Sequence, residues 1–246
     1  VWKNVHELDL NLFLLKQKND APDYELQALA SEAERHILRA IDLLQKGNRP
    51  FIPEYLSYLR TLDLGKKYND LEKNARAALE LYTNKLDANQ TLNIKEYQAI
   101  GLKGLKKYNE ALAAYQYLLS IRPNETKWKL QLAEITFANN NPTEALSLYK
   151  QLLLNDRDNI ALISKIGLAE LAVGNPAEAS IQIERALKLD PTNKNLLGPL
   201  GEAYEAINNN QKAIDHYKSA ITYLSQSLKN SGSISFKESS EKLRKY

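Results

Sequence analysis

The strongest constraint in the sequence is a small residue that recurs every 34 residues between positions 111 and 213. The residues at this register position are Ala111, Ala145, Ala179 and Ala213. The first two stand in closely similar phrases, EALAAYQYLL and EALSLYKQLL. A bulky residue follows each alanine by four positions, and a second small residue precedes each by twelve. Because a fixed period of this length arises from stacked supersecondary units, the spacing predicts an internal repeat.

This pattern resembles the tetratricopeptide repeat, a helix–turn–helix unit of about 34 residues. The stretch LGEAY from Leu200 to Tyr204 matches the helix A pattern of that family most clearly. In such a unit the two small residues let helices A and B approach closely, and the bulky residue fills the space toward the next unit. Pro123 and Pro191 follow two of the B helices and stop them. The resemblance implies an all-α fold, a right-handed α-solenoid of about five to six antiparallel helix hairpins plus a C-terminal helix.

The predicted units are not evenly regular along the chain. Residues 92–225 carry four units in register, and residues 51–91 carry a preceding unit whose matching phrase lies 40 residues upstream. The larger offset places extra residues near Thr83 to Thr91, as a longer helix end or a loop. Residues 1–50 are interpreted as a degenerate helical hairpin, either a worn repeat or an N-terminal cap, since Leu8, Leu12 and Leu15 share one helical face. Residues 226–246 are expected to be either a polar capping helix or a flexible tail.

The resemblance also implies a concave groove that is lined mainly by the A helices and holds a partner. The residues that it assigns to this groove are Arg60, Ile100, Lys103, Leu130, Glu134, Phe137, Leu168, Leu171, Glu202 and Glu205. Its middle is apolar and its C-terminal side acidic, which suits an amphipathic or basic segment of a partner protein. The alternative is that Phe137 and Leu171 pack between adjacent A helices as ordinary core. The carboxylate clamp of chaperone-binding relatives is not expected, because the register position of its asparagine holds none here.

Composition argues against several other classes of function. The chain has no cysteine, which excludes disulfides, thiolate metal sites and cysteine nucleophiles. Its net charge of +3 is too small to indicate nucleic-acid binding, and no apolar run approaches the roughly 20 residues of a membrane span. His6, His36 and His216 are far apart and are interpreted as solvated surface residues. Without a catalytic or phosphate-binding motif, we expect no enzyme activity, cofactor, metal or small-molecule substrate.

The sequence therefore predicts a non-enzymatic scaffold or adaptor that binds a partner protein or peptide in its groove. One alternative is a bacterial cell-envelope assembly factor, such as an accessory protein of a pilus or a secretion system. Another is a self-assembling scaffold in which the segment from Ile234 to Tyr246 docks in a neighbour's groove. Because the chain has no methionine, we expect that Val1 follows a removed leader or an excised boundary. The predicted location is open between the cytoplasm and the periplasm, with a processed lipoprotein included.

Overall fold

The chain is helical throughout the part that the structure describes. The computed structural model describes residues 1–230, with side chains to residue 226. The helices of this part, numbered in chain order, are α1 (Trp2–Lys18), α2 (Asp23–Lys46), α3 (Ile52–Leu64), α4 (Tyr68–Leu81), α5 (Ala88–Gly104), α6 (Tyr108–Ile121), α7 (Thr126–Ala138), α8 (Pro142–Leu153), α9 (Ile160–Ala172), α10 (Pro176–Leu189), α11 (Leu197–Ala206) and α12 (Asn210–Asn230). Since residues 1–230 contain no strand, the predicted all-α class is confirmed. The predicted cap or tail at 226–246 lies outside the described residues, apart from the end of α12.

The chain forms two compact units. The first is Val1–Trp128 and the second begins at Lys129, so the division falls inside α7. It does not coincide with the boundaries at residues 50, 91 and 225 that the sequence suggested, and those boundaries stay predictions.

In the first unit, α1 and α2 form the antiparallel hairpin expected for the first 50 residues. Lys16 of α1 pairs with Glu25 of α2 near the turn, with 3.2 Å between nitrogen and oxygen. At the far end of the hairpin, the ring of Trp2 stacks on the ring of His36, with centroids 5.5 Å apart. Only one side of α1 is covered, because its buried residues are His6, Leu10 and Phe13 while Leu8 and its neighbours on the other face are exposed.

Helices α2 to α5 share one core in the first unit. It contains buried residues from all four helices, namely Ile37, Ala40, Ile41, Tyr58, Leu59, Leu62, Leu71, Ala75, Ala78 and Ile94. The extra residues between α4 and α5 form a 3₁₀ turn, Thr83–Lys85, and lengthen α5 to 17 residues, against 13 in α7 and α9. Asp87 begins α5 with a reciprocal capping box, since its side chain accepts a hydrogen bond from the Gln90 amide and the Gln90 side chain accepts one in return.

In the second unit, α9 lies between two cores. Leu162, Ile166 and Ala169 pack with α7 and α8, whereas Ile163 packs with α10, α11 and α12. The side chain of Asn159 caps the start of α9 by accepting a hydrogen bond from the Leu162 amide at 3.0 Å. Stacking of hairpins on both sides therefore buries most of this helix.

The small residues of the repeat are buried where helices meet, as the spacing predicted. The register alanines Ala111, Ala145 and Ala179 are fully buried. At the other small position, a Cβ added to Gly167 would come within 2.6 Å of Ile183, the bulky residue of the same unit. Because Ile183 is fully buried and cannot move easily in a packed core, only a very small residue fits at position 167.

Each turn from an A helix to a B helix contains one residue in the left-handed backbone region. These residues are Lys66, Lys106, Asn140, Gly174 and Asn208, with φ between 50° and 90°. Each of the last four lies 34 residues after the one before, so this turn recurs with the same period as the buried alanines. Glycine and asparagine are the residues that adopt this conformation most readily, and lysine adopts it at a cost.

The prediction that all three histidines are solvated is wrong. His6 is 1% exposed, and its Nδ1 donates a hydrogen bond to the carbonyl oxygen of Ala33 at 3.0 Å. His36 is half-buried against Asp9, with 2.6 Å between Nδ1 and Oδ2, and His216 is half-buried and stacked on Tyr204. Each histidine lies on a helix face that packs against a neighbouring helix, which the polar residues around it in sequence did not reveal.

Candidate functional site

The A helices of the first unit enclose a pocket of about 400 Å³. We call it the first-unit pocket. Its lining comes from three successive A helices: Leu56, Arg60, Asp63 and Leu64 of α3, Asn93, Glu96, Tyr97 and Ile100 of α5, and Lys127 of α7. On α3 and on α5 the lining residues fall within one turn of each other at steps of one, three or four residues, so they share one side of each helix. The helical repeat therefore builds one cavity from residues that are far apart in sequence.

The first-unit pocket has an apolar floor. Leu56 and Ile100 are half-buried, and both pack against the shared core of α2 to α5. Tyr97 packs against the same core, and burial raises the pKa of its hydroxyl to about 12. The hydroxyl is therefore neutral at physiological pH and can serve a ligand as a donor or an acceptor.

One of the two carboxylates of the pocket is neutralised by a neighbouring repeat. The Lys127 ammonium lies 2.5 Å from the Glu96 carboxylate, and the Glu96 side chain is only 14% exposed. An ion pair of this kind compensates for the solvation that Glu96 loses on burial.

The other carboxylate, Asp63, has no such partner. It forms no hydrogen bond or ion pair within residues 1–230, and burial raises its pKa above the ordinary value of 3.8. Lys127 and Lys103 lower this pKa and Glu96 raises it, but each effect is smaller than that of burial. The guanidinium of Arg60, one turn away on α3, is exposed and likewise forms no ion pair in the described part of the chain.

Three residues that the sequence assigned to the groove come together in the first unit. Arg60 and Ile100 line the first-unit pocket itself. Lys103 is half-buried one turn after Ile100 on α5 and lies near enough to Asp63 to affect its pKa. That these three residues bind a partner stays a prediction.

The other assigned residues lie on the A helices of the second unit. Glu134 pairs with Lys165, 2.8 Å apart, and Glu205 accepts a hydrogen bond from the Tyr217 hydroxyl at 2.6 Å. Of the other five, Glu202 and Leu171 are half-buried, and three are half-buried and pack partly on the core, namely Leu130, Phe137 and Leu168. Part of the surface of these three side chains is thus buried against the core and contributes to the stability of the fold.

Several residues of the first-unit pocket are not among the ten groove residues named from the sequence. Five of them nevertheless occupy the A-helix register positions that the resemblance assigns to the groove, namely Leu56, Asp63, Asn93, Glu96 and Lys127. Tyr97 falls one residue outside that register, so nothing in the spacing pointed to it. Which carboxylate is neutralised and which is left unpaired depends on side-chain positions that the register does not specify.

The described residues offer neither a membrane span nor a metal cluster. Among residues 1–230 there is no helix that combines the length and the apolar character needed to cross a membrane. The same part of the chain brings together no group of three histidine, aspartate or glutamate residues that could hold a metal ion.

Comparison with known families gives consecutive matches to one family. Models of the tetratricopeptide repeat family match residues 102–166 and residues 164–227. Together these matches extend over slightly more than half of the 246-residue chain. No curated protein matches the chain significantly.

Solved structures of MamA and YrrB are similar to the chain in fold. A MamA double mutant of strain RS-1 is 15% identical with a TM-score of 0.57, and the match covers 68% of this chain and 93% of that one. Another MamA structure is 12% identical with a TM-score of 0.56, covering 74% and 97%. YrrB, described as a TPR protein with an unusual peptide-binding site, is 16% identical with a TM-score of 0.55, covering 74% and 90%. At these identities the likeness concerns the fold alone.

Proposed function

Because the chain belongs to the tetratricopeptide repeat family, we propose that it is a non-enzymatic scaffold that binds a partner protein or peptide on its A-helix faces. The observation that carries this proposal is the first-unit pocket, in which three successive A helices surround an apolar floor with charged walls. Concave sites with a few polar groups around apolar surface are the usual form of ligand sites. The peptide-binding site ascribed to YrrB, a protein of similar fold, is consistent with the same use here.

The chemistry of the A-helix faces favours a peptide segment over a rigid flat surface. A pocket of about 400 Å³ accommodates a few side chains of a peptide. The A helices of the second unit also carry half-buried apolar residues. An amphipathic segment can place apolar side chains against such residues and polar ones at the rim.

Capture of the partner from the native source tests this proposal. The immobilised chain is compared with the double variant Phe137→Ser and Leu168→Ser, both on A helices. The matched control carries Leu154→Ser and Ile181→Ser, which replace exposed apolar residues on or beside B helices. We expect a stoichiometric partner on the wild type and the control, and none on the A-helix variant. The control should melt near the wild type, and the A-helix variant should stay folded but melt at a lower temperature, because both of its changed residues pack partly on the core.

Other outcomes of this capture experiment are equally informative. Equal capture by the A-helix variant argues against binding on Phe137 and Leu168, and collapse of its fold assigns these two residues to the core. In that case Glu205→Lys, a change at an exposed position of α11, tests the same face without opening the core. Capture that survives Glu205→Lys as well would argue against binding on the A helices of the second unit.

Self-association is a second candidate function, favoured by the outer face of α1. Leu8, Leu12 and Leu15 are 67%, 43% and 56% exposed and form one apolar stripe. Glu7 lies in the first half of the helix and Lys18 at its end, and neither forms an ion pair within residues 1–230. Antiparallel pairing with α1 of a second copy brings each Glu7 toward the opposite Lys18 and covers both stripes. Such a contact is self-complementary, as a two-fold interface requires.

Sedimentation of three forms separates the routes to self-association. These are the full chain, the variant Leu8→Glu with Leu12→Glu, and a chain that ends at Asn230. Loss of association in the α1 variant alone supports pairing through α1. Loss in the shortened chain alone supports docking of the segment from Ile234 to Tyr246, which lies outside the described residues. A monomeric mass in all three rejects self-association.

A further inference from the structure

The first-unit pocket contains two charged side chains that form no ion pair with the described part of the chain. Asp63 and Arg60 are one turn apart on α3, and both line the pocket. Glu96, by contrast, is already bound by Lys127. The walls therefore offer a ligand one unpaired acceptor and one unpaired donor, while the remaining charges balance each other.

Asp63 is the more demanding of the two, because it is partly desolvated. A carboxylate that is removed from water without a hydrogen-bond donor raises the free energy of its charged form. The raised pKa of Asp63 has this origin, and it persists although Lys103 and Lys127 act in the opposite direction. An ammonium or guanidinium group that entered the pocket would supply the missing donor at short range.

Arg60 imposes a second requirement on the ligand. Its exposed guanidinium stands on the same helical face as Asp63, so it repels a ligand that brings only positive charge. A purely acidic ligand is repelled in turn by Asp63. The favoured ligand therefore carries a positive and a negative group, placed so that the positive group meets Asp63 and the negative group meets Arg60.

The floor between these walls is apolar. Leu56 of α3 and Ile100 of α5 turn part of their surface to the pocket and part to the core. Burying a ligand side chain on them removes apolar surface from water. This adds to the affinity but does not fix the orientation of the ligand. The charged pair then sets the orientation and the selectivity.

We propose that the first-unit pocket binds a segment of the partner that presents a basic side chain to Asp63 and a carboxylate to Arg60, around an apolar side chain on Leu56 and Ile100. This proposal rests on the proposed function and names the chemistry of the partner at one site. It assigns Asp63 and Arg60 as residues that determine specificity.

Selection from a random dodecapeptide library displayed on phage tests the proposal. The full chain is the target, beside the variants Asp63→Asn and Arg60→Gln. The matched control is Asp70→Asn, an exposed aspartate on the B helix α4. We expect the wild type and the control to select peptides with a basic, an apolar and an acidic residue close together. Asp63→Asn should no longer select the basic residue, and Arg60→Gln should no longer select the acidic one.

Affinity measurements on one selected peptide then give the size and the pH dependence of the effect. By fluorescence anisotropy, Asp63→Asn should weaken binding about tenfold or more, the usual range for a lost hydrogen bond to a charged group. As the pH falls, binding to the wild type should weaken at a higher pH than an ordinary aspartate would give, because the Asp63 pKa is raised. Asp63→Asn should not show this dependence.

Two results would overturn the proposal in different ways. Selected peptides without paired charges, or with equal affinity for Asp63→Asn, refute the assigned chemistry while peptide binding itself stands. Selection of no peptide by any form of the chain refutes the peptide-binding function and the assignment together.

Discussion

His6 is buried in the hairpin of α1 and α2, and this makes the stability of the hairpin depend on pH. Burial lowers the pKa of its imidazole below 6.5, although Asp9 and Glu7 act in the opposite direction. Its Nε2 is buried and has no hydrogen-bond partner in the described part of the chain. Protonation would therefore place a charged donor where no acceptor exists, so folding holds the ring neutral.

The sign of this effect follows from proton binding in the two states. The unfolded chain takes up the proton first, so the free energy of unfolding falls as the pH drops below about 6.5. We expect the protection factors of the α1 amides, which correct for the pH dependence of the intrinsic exchange rate, to fall between neutral and mildly acidic pH, and to fall less in His6→Gln. The same fall in both proteins would contradict the role of His6.

Asp63 affects the pH dependence of stability with the opposite sign to His6. Its effect on stability can therefore be told apart from its effect on binding. Because its pKa is raised in the folded state, the folded chain binds more protons, and stability falls as the pH rises above 3.8 through the folded pKa. At neutral pH the unpaired carboxylate is therefore a cost to folding. We expect Asp63→Asn to melt at the same temperature as the wild type or higher, whereas Asp70→Asn, which removes a carboxylate from the first turn of α4, should melt at a slightly lower temperature. A clearly lower melting temperature for Asp63→Asn would mean that the carboxylate supports the fold instead.

Among the elements, the turns between A and B helices give a matched pair of substitutions. Lys106 and Gly174 occupy the same register position with φ of 59° and 85°. A Cβ added to Gly174 would meet nothing within 4 Å, so Gly174→Ala changes only the backbone preference. We expect Gly174→Ala to lower the free energy of unfolding by about 1 kcal/mol and Lys106→Gly to raise it by about 0.5 kcal/mol.

Urea denaturation of the two variants measures these changes. A fall in the free energy of unfolding for Gly174→Ala together with a rise for Lys106→Gly supports one backbone geometry for both turns, in which only the residue type differs. If both substitutions destabilise, the Lys106 side chain contributes more than its backbone conformation costs.

The helices themselves follow largely from the sequence, because their pattern is set by local spacing. The buried alanines Ala111 and Ala145 and the extra turn near Thr83 were all predictable from a fixed period. The left-handed turn at Lys106 was not, since lysine does not favour that conformation and only the register of the later units reveals it. In the candidate site the register pointed to Arg60 and Ile100 but not to the pairing of Glu96 with Lys127, which depends on how neighbouring units pack.

At the scale of the whole molecule, stability is expected to vary with the number of neighbours that each hairpin has. In repeat proteins a unit gains stability from the units stacked on it, so the terms add along the chain. Helix α1 buries three of its 17 residues, all against one side, whereas α9 buries seven of its 13 residues between two cores. The two helices therefore differ in the free energy needed to open them locally.

Hydrogen exchange measured by mass spectrometry should resolve this gradient. We expect peptides from α1 to exchange much faster than peptides from α9 at neutral pH, because opening α1 exposes little additional apolar surface. The gradient also reports on self-association: if a second copy covers Leu8, Leu12 and Leu15, protection of α1 rises with protein concentration while that of α9 does not. Equal protection of α1 and α9 at low concentration would contradict the additive account, because it would require the whole chain to unfold as one cooperative block.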